Sequence, residues 1–96
     1  EAPVAVVVMG DKSSDWWADD CAAATENLLL AAANLGLGTV WCGIKEPDAK
    51  TVRKILGAPE KRGVLCIIAV GYPAESPSPN TKYRKEKVHW NQFGKH

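Results

Sequence analysis

The chain alternates between continuous apolar runs and short polar breaks, and the runs have the lengths of strands and helices. Val4-Ala5-Val6-Val7-Val8-Met9 comes first, a run rich in β-branched side chains. A run of this kind without alternation suits a strand buried on both faces. Gly10 to Asp15 (GDKSSD) has turn chemistry. Asp20 to Gly43 then reads as one long helix, a glycine stop and a second strand. Ala and Leu dominate the helical half, with no Gly or Pro before Gly36. Cys21, Ala24, Leu28, Ala31, Ala32 and Leu35 share one helical face. Ala23, Leu29, Leu30 and Ala33 make the other faces apolar too, which is the pattern of a buried helix. Asp19 or Asp20 is placed to cap this helix and Gly36 to end it.

Beyond Gly38, Thr39 to Ile44 reads as a short second strand. Pro47 and Asp48 open a second helix, Ala49 to Leu56, with Val52, Ile55 and Leu56 as a narrow apolar stripe. Gly57 and Pro59 close it. Val64 to Gly71 is a third strand, again apolar on both faces. Ala74 to Asn80 is rich in Pro and Ser, a linker by composition. The tail that follows, TKYRKEKVHWNQF, is first charged and then aromatic, and Val88, Trp90 and Phe93 need a surface to dock on. The expected order is β-α-β-α-β plus an extended C-terminal tail. Three strands buried on both sides require helices on both faces, and two helices cover them thinly. The long helix is also more apolar than a chain of 96 residues easily hides. Both deficits predict a partner, either a missing half or a second copy. A sequence that opens inside a buried strand reads as the later part of a longer one.

Composition narrows the class. With 46% hydrophobic and 24% charged residues the chain has the make-up of an ordinary globular domain. No apolar run approaches the roughly 20 residues a membrane span needs. Cys21, Cys42 and Cys66 are widely spaced in apolar contexts and read as reduced core thiols of a cytoplasmic protein. The net charge of +1 conceals a polarity: residues 1–44 carry six acids against one lysine, and residues 45–96 eleven bases against five acids. That basic half could serve a phosphate-bearing ligand. It lacks a recognised nucleic-acid motif, so no such partner is expected.

Candidate chemistry is sparse. Gly36-Leu37-Gly38 follows a helix and precedes a strand, the reverse of a dinucleotide fingerprint, and reads as a helix cap with a tight turn. Cys42 and His89 could be drawn as a thiol–imidazole pair, though nothing in the sequence sets their separation. No spacing of Cys, His, Asp or Glu matches a metal site. No catalytic side chain stands out, so an enzyme built this way would rely on a cofactor. Lys82-Tyr83-Arg84 is the best phosphate candidate, because two basic side chains two apart on extended backbone point to one side.

Taken in order, Ala23 to Gly43 (AATENLLLAAANLGLGTVWCG), Val52 to Pro59 (VRKILGAP), Ala69 to Pro73 (AVGYP) and Val88 to Asn91 (VHWN) resemble the nitroreductase family of flavin enzymes. The resemblance runs from about Pro3 to Phe93 and follows the C-terminal half of that family. It implies an α+β, nitroreductase-like sandwich around a mixed sheet, present here only in part. Residues 1–73 would be the C-terminal half of such a domain, and residues 74–96 its linker and tail. The family implies an intertwined homodimer with FMN at the subunit interface. Hydride from NAD(P)H passes through the flavin to nitroaromatic, quinone or similar small-molecule acceptors. Trp41, Cys42 and Gly43 match the family's turn against the flavin ring, and Lys82 and Arg84 match its phosphate-binding pair. Family members also open with an Arg/Ser-rich segment that grips the FMN phosphate and ribityl chain, which these 96 residues lack. Two other readings follow. One is a truncated, non-catalytic module for dimerisation or partner binding. The other uses the same scaffold for flavin destruction or dehalogenation.

Overall fold

The last strand in sequence is the middle one in space. In the computed structural model, which describes residues 2–96, β3 (Arg62–Gly71) lies between β1 (Val4–Asp11) and β2 (Gly38–Gly43), antiparallel to both. β1 and β2 therefore run parallel to each other with β3 inserted between them. They are joined by α1 (Trp17–Asn34), while α2 (Asp48–Leu56) joins β2 to β3. The three described strands form an antiparallel sheet, not a mixed one, and two of them are edges. Only β3 reaches the burial expected of all three. Cys66 and Ile68 are fully buried, whereas β1 is half-buried at best and Val40 to Gly43 of β2 are exposed.

One side of the sheet is covered by α1. Thr25 marks the contact: its hydroxyl donates to the Cys21 carbonyl at 2.8 Å and lies 3.5 Å from Cys66 Sγ. The bond to Cys21 lets a polar side chain sit fully buried in an apolar seam. The buried stripe of α1 is Cys21, Thr25 and Ala32, with Leu28 and Leu29 half-buried beside it. Leu30, Ala31 and Leu35 face outward, so the helix is apolar all round but covered on one side only. Burial pushes the Cys21 thiol up from its ordinary pKa, and Asp20 and Cys66 push the same way.

The start of α1 is keyed into the sheet by Trp17. Gly10 of β1 and Gly63 of β3 are register partners, and a Cβ on Gly63 would meet the Trp17 ring at 2.5–2.7 Å. A Cβ on Gly10 would meet Cys21 Sγ at 2.8 Å. Gly63 and Cys66 both face α1 although three positions separate them. A β-bulge resolves this: Val8 pairs with Cys66 and Met9 with Val64, leaving Leu65 as the extra residue. Asp19 and Asp20 do not cap the helix. Trp16 holds the cap position without a side-chain bond, and the two acids sit in the first turn, where their charge still suits the dipole.

Both helices stop as their glycines predict. At α1, Gly36 takes φ +77°, its N–H bonds to the Ala33 carbonyl and the Leu37 N–H to that of Ala32. Gly57 closes α2 by the same arrangement onto Arg53 and Lys54. A Cβ on Gly36 would meet nothing within 4 Å. Gly36→Ala is therefore expected to cost only its backbone conformation, about 1 kcal/mol in urea unfolding. On α2 the buried positions are Ala49 and Arg53, and Ile55 of the expected stripe is 77% exposed.

Beyond Gly71 the only regular structure is a single 3-10 turn, Lys85–Lys87, which contacts no helix or strand. The tail ends in a small knot of its own. Gly94 donates to His89 Nδ1 at 2.7 Å, Phe93 stacks on His89 with ring centroids 4.3 Å apart, and His96 Nδ1 lies 2.9 Å from the Val88 carbonyl. Phe93 is still 94% exposed, so the aromatic end has found no dock. The radius of gyration is 16.9 Å, against roughly 12–13 Å for a compact domain of this length. The accessible surface is 7776 Å², against roughly 5,400 Å² expected for this mass.

Candidate functional site: the open edge of β2

β2 ends beside the bulge of β3, and its hydrogen-bond parity decides what its free edge presents. The Ile44 N–H donates to the Leu65 carbonyl at 3.2 Å. Opposite residues of an antiparallel pair alternate between bonded and non-bonded, so Cys42 with Ile67 and Val40 with Ala69 are bonded pairs. The alternate residues, Thr39, Trp41 and Gly43, turn their N–H and C=O groups outward. Of the three residues expected against a flavin ring, Trp41 and Gly43 have free N–H groups. The N–H of Cys42 belongs to the ladder.

Side chains divide the other way. Trp41 is opposite Ile68 and shares the side covered by α1, while Cys42 is opposite Ile67 on the side that α1 leaves bare. Cys42 is thus an exposed thiol and not the core thiol expected from its apolar neighbours. An internal strand would bury it, but β2 is an edge. Cys21 and Cys66 are buried and unpaired as expected. A Cβ on Gly43 would meet nothing within 4 Å. Nothing in its own chain requires a glycine there, and the missing side chain leaves open space beside an outward N–H. That arrangement admits close approach by a planar ring and fits a flavin.

Lys82 and Arg84 lie on the exposed tail, two apart on the segment leading into the 3-10 turn, with Arg84 extended. Neither side chain makes a hydrogen bond or ion pair among the described residues. The structure does not bring them to Trp41, Cys42 and Gly43 through any contact between elements. Cys42 and His89 do not form a pair either, because His89 is engaged within the tail knot. Among the described residues no cluster of three or more His, Cys, Asp or Glu could hold a metal ion. A cavity of about 380 Å³ opens at the other end of β2, lined by Gly38, Thr39, Val40, Tyr72 and Pro73.

One feature next to the site escaped the sequence reading. Arg53, only 6% exposed, donates from Nη2 to Glu46 Oε1 at 2.8 Å and from Nη1 to the Arg62 carbonyl at 3.4 Å. The Lys50 N–H donates to Glu46 Oε2 at 3.2 Å. The Arg53 hydrogen bond holds the Glu46 carboxyl below its ordinary pKa, helped by the Arg53 charge, the Lys50 N–H and Lys12. A carboxylate with a lowered folded-state pKa stabilises above the ordinary glutamate range, and that contribution is lost as pH falls through the lowered value. The signal was available in the spacing: Ala49, Val52 and Arg53 fall on one helical face, which puts an arginine inside the apolar stripe.

Comparison with known proteins places this edge in a family. The model of the nitroreductase family matches residues 1–72. A protein of Methanothermobacter thermautotrophicus, provisionally named an NADH dehydrogenase/NAD(P)H nitroreductase, is 37% identical over 99 residues, covering 97% of this chain and 52% of its own. A crystal structure from Bacteroides thetaiotaomicron under the same provisional name superposes with a TM-score of 0.89 at 42% identity, covering 96% of this chain and 56% of that one. An FMN-dependent nitroreductase of Clostridium difficile gives 0.87 at 33% identity, covering 96% of this chain and 59% of that one. The fold and the matched length define a nitroreductase-like α+β unit. The chain belongs to the nitroreductase family, and it spans about half the length of the curated relatives it matches.

Proposed function

We propose that this chain supplies the ring-facing edge and the phosphate-binding arm of an FMN-dependent oxidoreductase. The enzyme would take hydride from NAD(P)H and pass it to nitroaromatic, quinone or similar small-molecule acceptors. The observation that carries the reading is the edge of β2, where outward N–H groups at Trp41 and Gly43 stand beside unobstructed space at Gly43. FMN supplies the hydride chemistry when bound; the protein positions it. Trp41 and Gly43 donate backbone hydrogen bonds to the ring, and the Cys42 thiol lines the approach on the bare side of the sheet. Lys82 and Arg84 hold the phosphate as point charge and forked donor.

No contact between helices or strands joins the two halves of this site, and this supports a site shared between copies. Residues 1–73 form the body and residues 74–96 an arm that reaches a second copy, in a cytoplasmic homodimer. The surface in excess of that expected for this mass, roughly 2,400 Å², has the size of an obligate interface. A segment that supplies the family's N-terminal half would draw on the same bare surface.

Visible absorption of the purified protein after FMN loading and dialysis tests this reading. A retained flavin spectrum that bleaches with NADH or NADPH under anaerobic conditions is expected. A colourless, stably dimeric protein would replace the reading with a non-catalytic dimerisation module.

A further inference from the structure

Arg53 is a charge withdrawn from water, and such a charge persists only where hydrogen bonds and a counter-charge meet it. Its guanidinium joins three places: the loop after β2 through Glu46, its own helix α2, and the first residue of β3 through the Arg62 carbonyl. Arg53–Glu46 is also the only ion pair among the described residues. Glu46 follows Gly43 by three positions. Between them the Ile44 N–H makes the last rung of the sheet, onto the bulged residue Leu65. The end of β2 therefore has two anchors, and both run to the opening residues of β3.

We infer that Arg53 and Glu46 are positioning residues, which fix the Gly43 end of β2 and so hold its outward N–H in place for the ring. The inference rests on the flavin reading of that edge, and it adds a determinant outside the residues that touch the ring. Glu46 is largely exposed, so a merely stabilising pair at this place would contribute little. Its geometry does more than its energy. Without the pair, the loop from Ile44 to Pro47 is tied to the sheet by one backbone bond, since its other backbone bonds, at the Lys45 and Pro47 carbonyls, run only into α2. A glycine at the strand end offers no side chain to restrain it.

The test uses Glu46→Gln, which keeps the shape of an exposed side chain, and Arg53→Met, which removes the buried charge instead of stranding it. Hydrogen exchange at the Ile44 amide is expected to speed up about tenfold in both, with Ile68 unchanged, as for local opening of a strand end. An unchanged Ile44 rate overturns the inference, whether or not the protein binds flavin. In the flavin-binding protein, affinity for FMN and for riboflavin is expected to fall by a similar factor of about ten, because ring contacts are common to both. Unchanged affinity for both, or a loss confined to FMN, overturns the link to the ring. Absence of flavin binding in the unsubstituted protein defeats the functional reading alone, since the Ile44 rate still decides the clamp.

Discussion

Gly63→Ala is expected to destabilise the protein by about 3 kcal/mol, the upper end of the usual cost of overpacking. The added methyl would sit 2.5–2.7 Å from three atoms of the Trp17 ring. An indole moves only as a rigid body, and this one forms the first turn of α1. Relief therefore requires either the helix to lift from the sheet or the ring to swing into water. Gly36→Ala provides the contrast, because its methyl meets nothing and costs only a strained φ. Urea unfolding of the two variants separates crowding from backbone strain. A double-mutant cycle with Trp17→Leu completes the argument: in that background Gly63→Ala is expected to cost less than half as much. An undiminished cost would show that the notch does not serve Trp17.

Replacing Lys82 and Arg84 together by Ala is expected to weaken FMN binding on the order of 100-fold or more, since each hydrogen bond from a charged donor contributes about 1.5–3 kcal/mol. Riboflavin has the same ring but no phosphate, so its affinity is expected to change less than threefold. The difference between the two flavins is the measurement, by fluorescence titration of protein stripped of flavin. Equal weakening of both would move the two bases from the phosphate to the general support of the arm. The pattern is opposite to that expected for Glu46→Gln, and the two sets of variants separate a phosphate contact from a ring contact.

The parts of the fold that were legible are those set by local chemistry. Both helices stop at glycines that adopt the left-handed conformation, and the element order β-α-β-α-β with a tail is the order observed. The nitroreductase resemblance, carried by four short stretches, agrees with the family match over residues 1–72. Errors cluster where neighbours decide. The apolar runs of β1 and β2 suit strands buried on both faces, yet both are edges. The exposure of Cys42 follows from that placement. Ile55 of the expected stripe is exposed, while Arg53, outside that stripe, is buried, because a paired guanidinium with its alkyl stem occupies the place beside β3.

The sequence by itself determined the elements, their punctuation and the family, because turns, caps and periodic runs are written in residues close together along the chain. The tertiary structure alone decided which strand is central, which N–H groups of β2 face outward, and that Gly63 opposes Gly10 beneath Trp17. Each of these depends on register between distant strands. A single bulge at Leu65 reassigns every residue before it to the other side of the sheet.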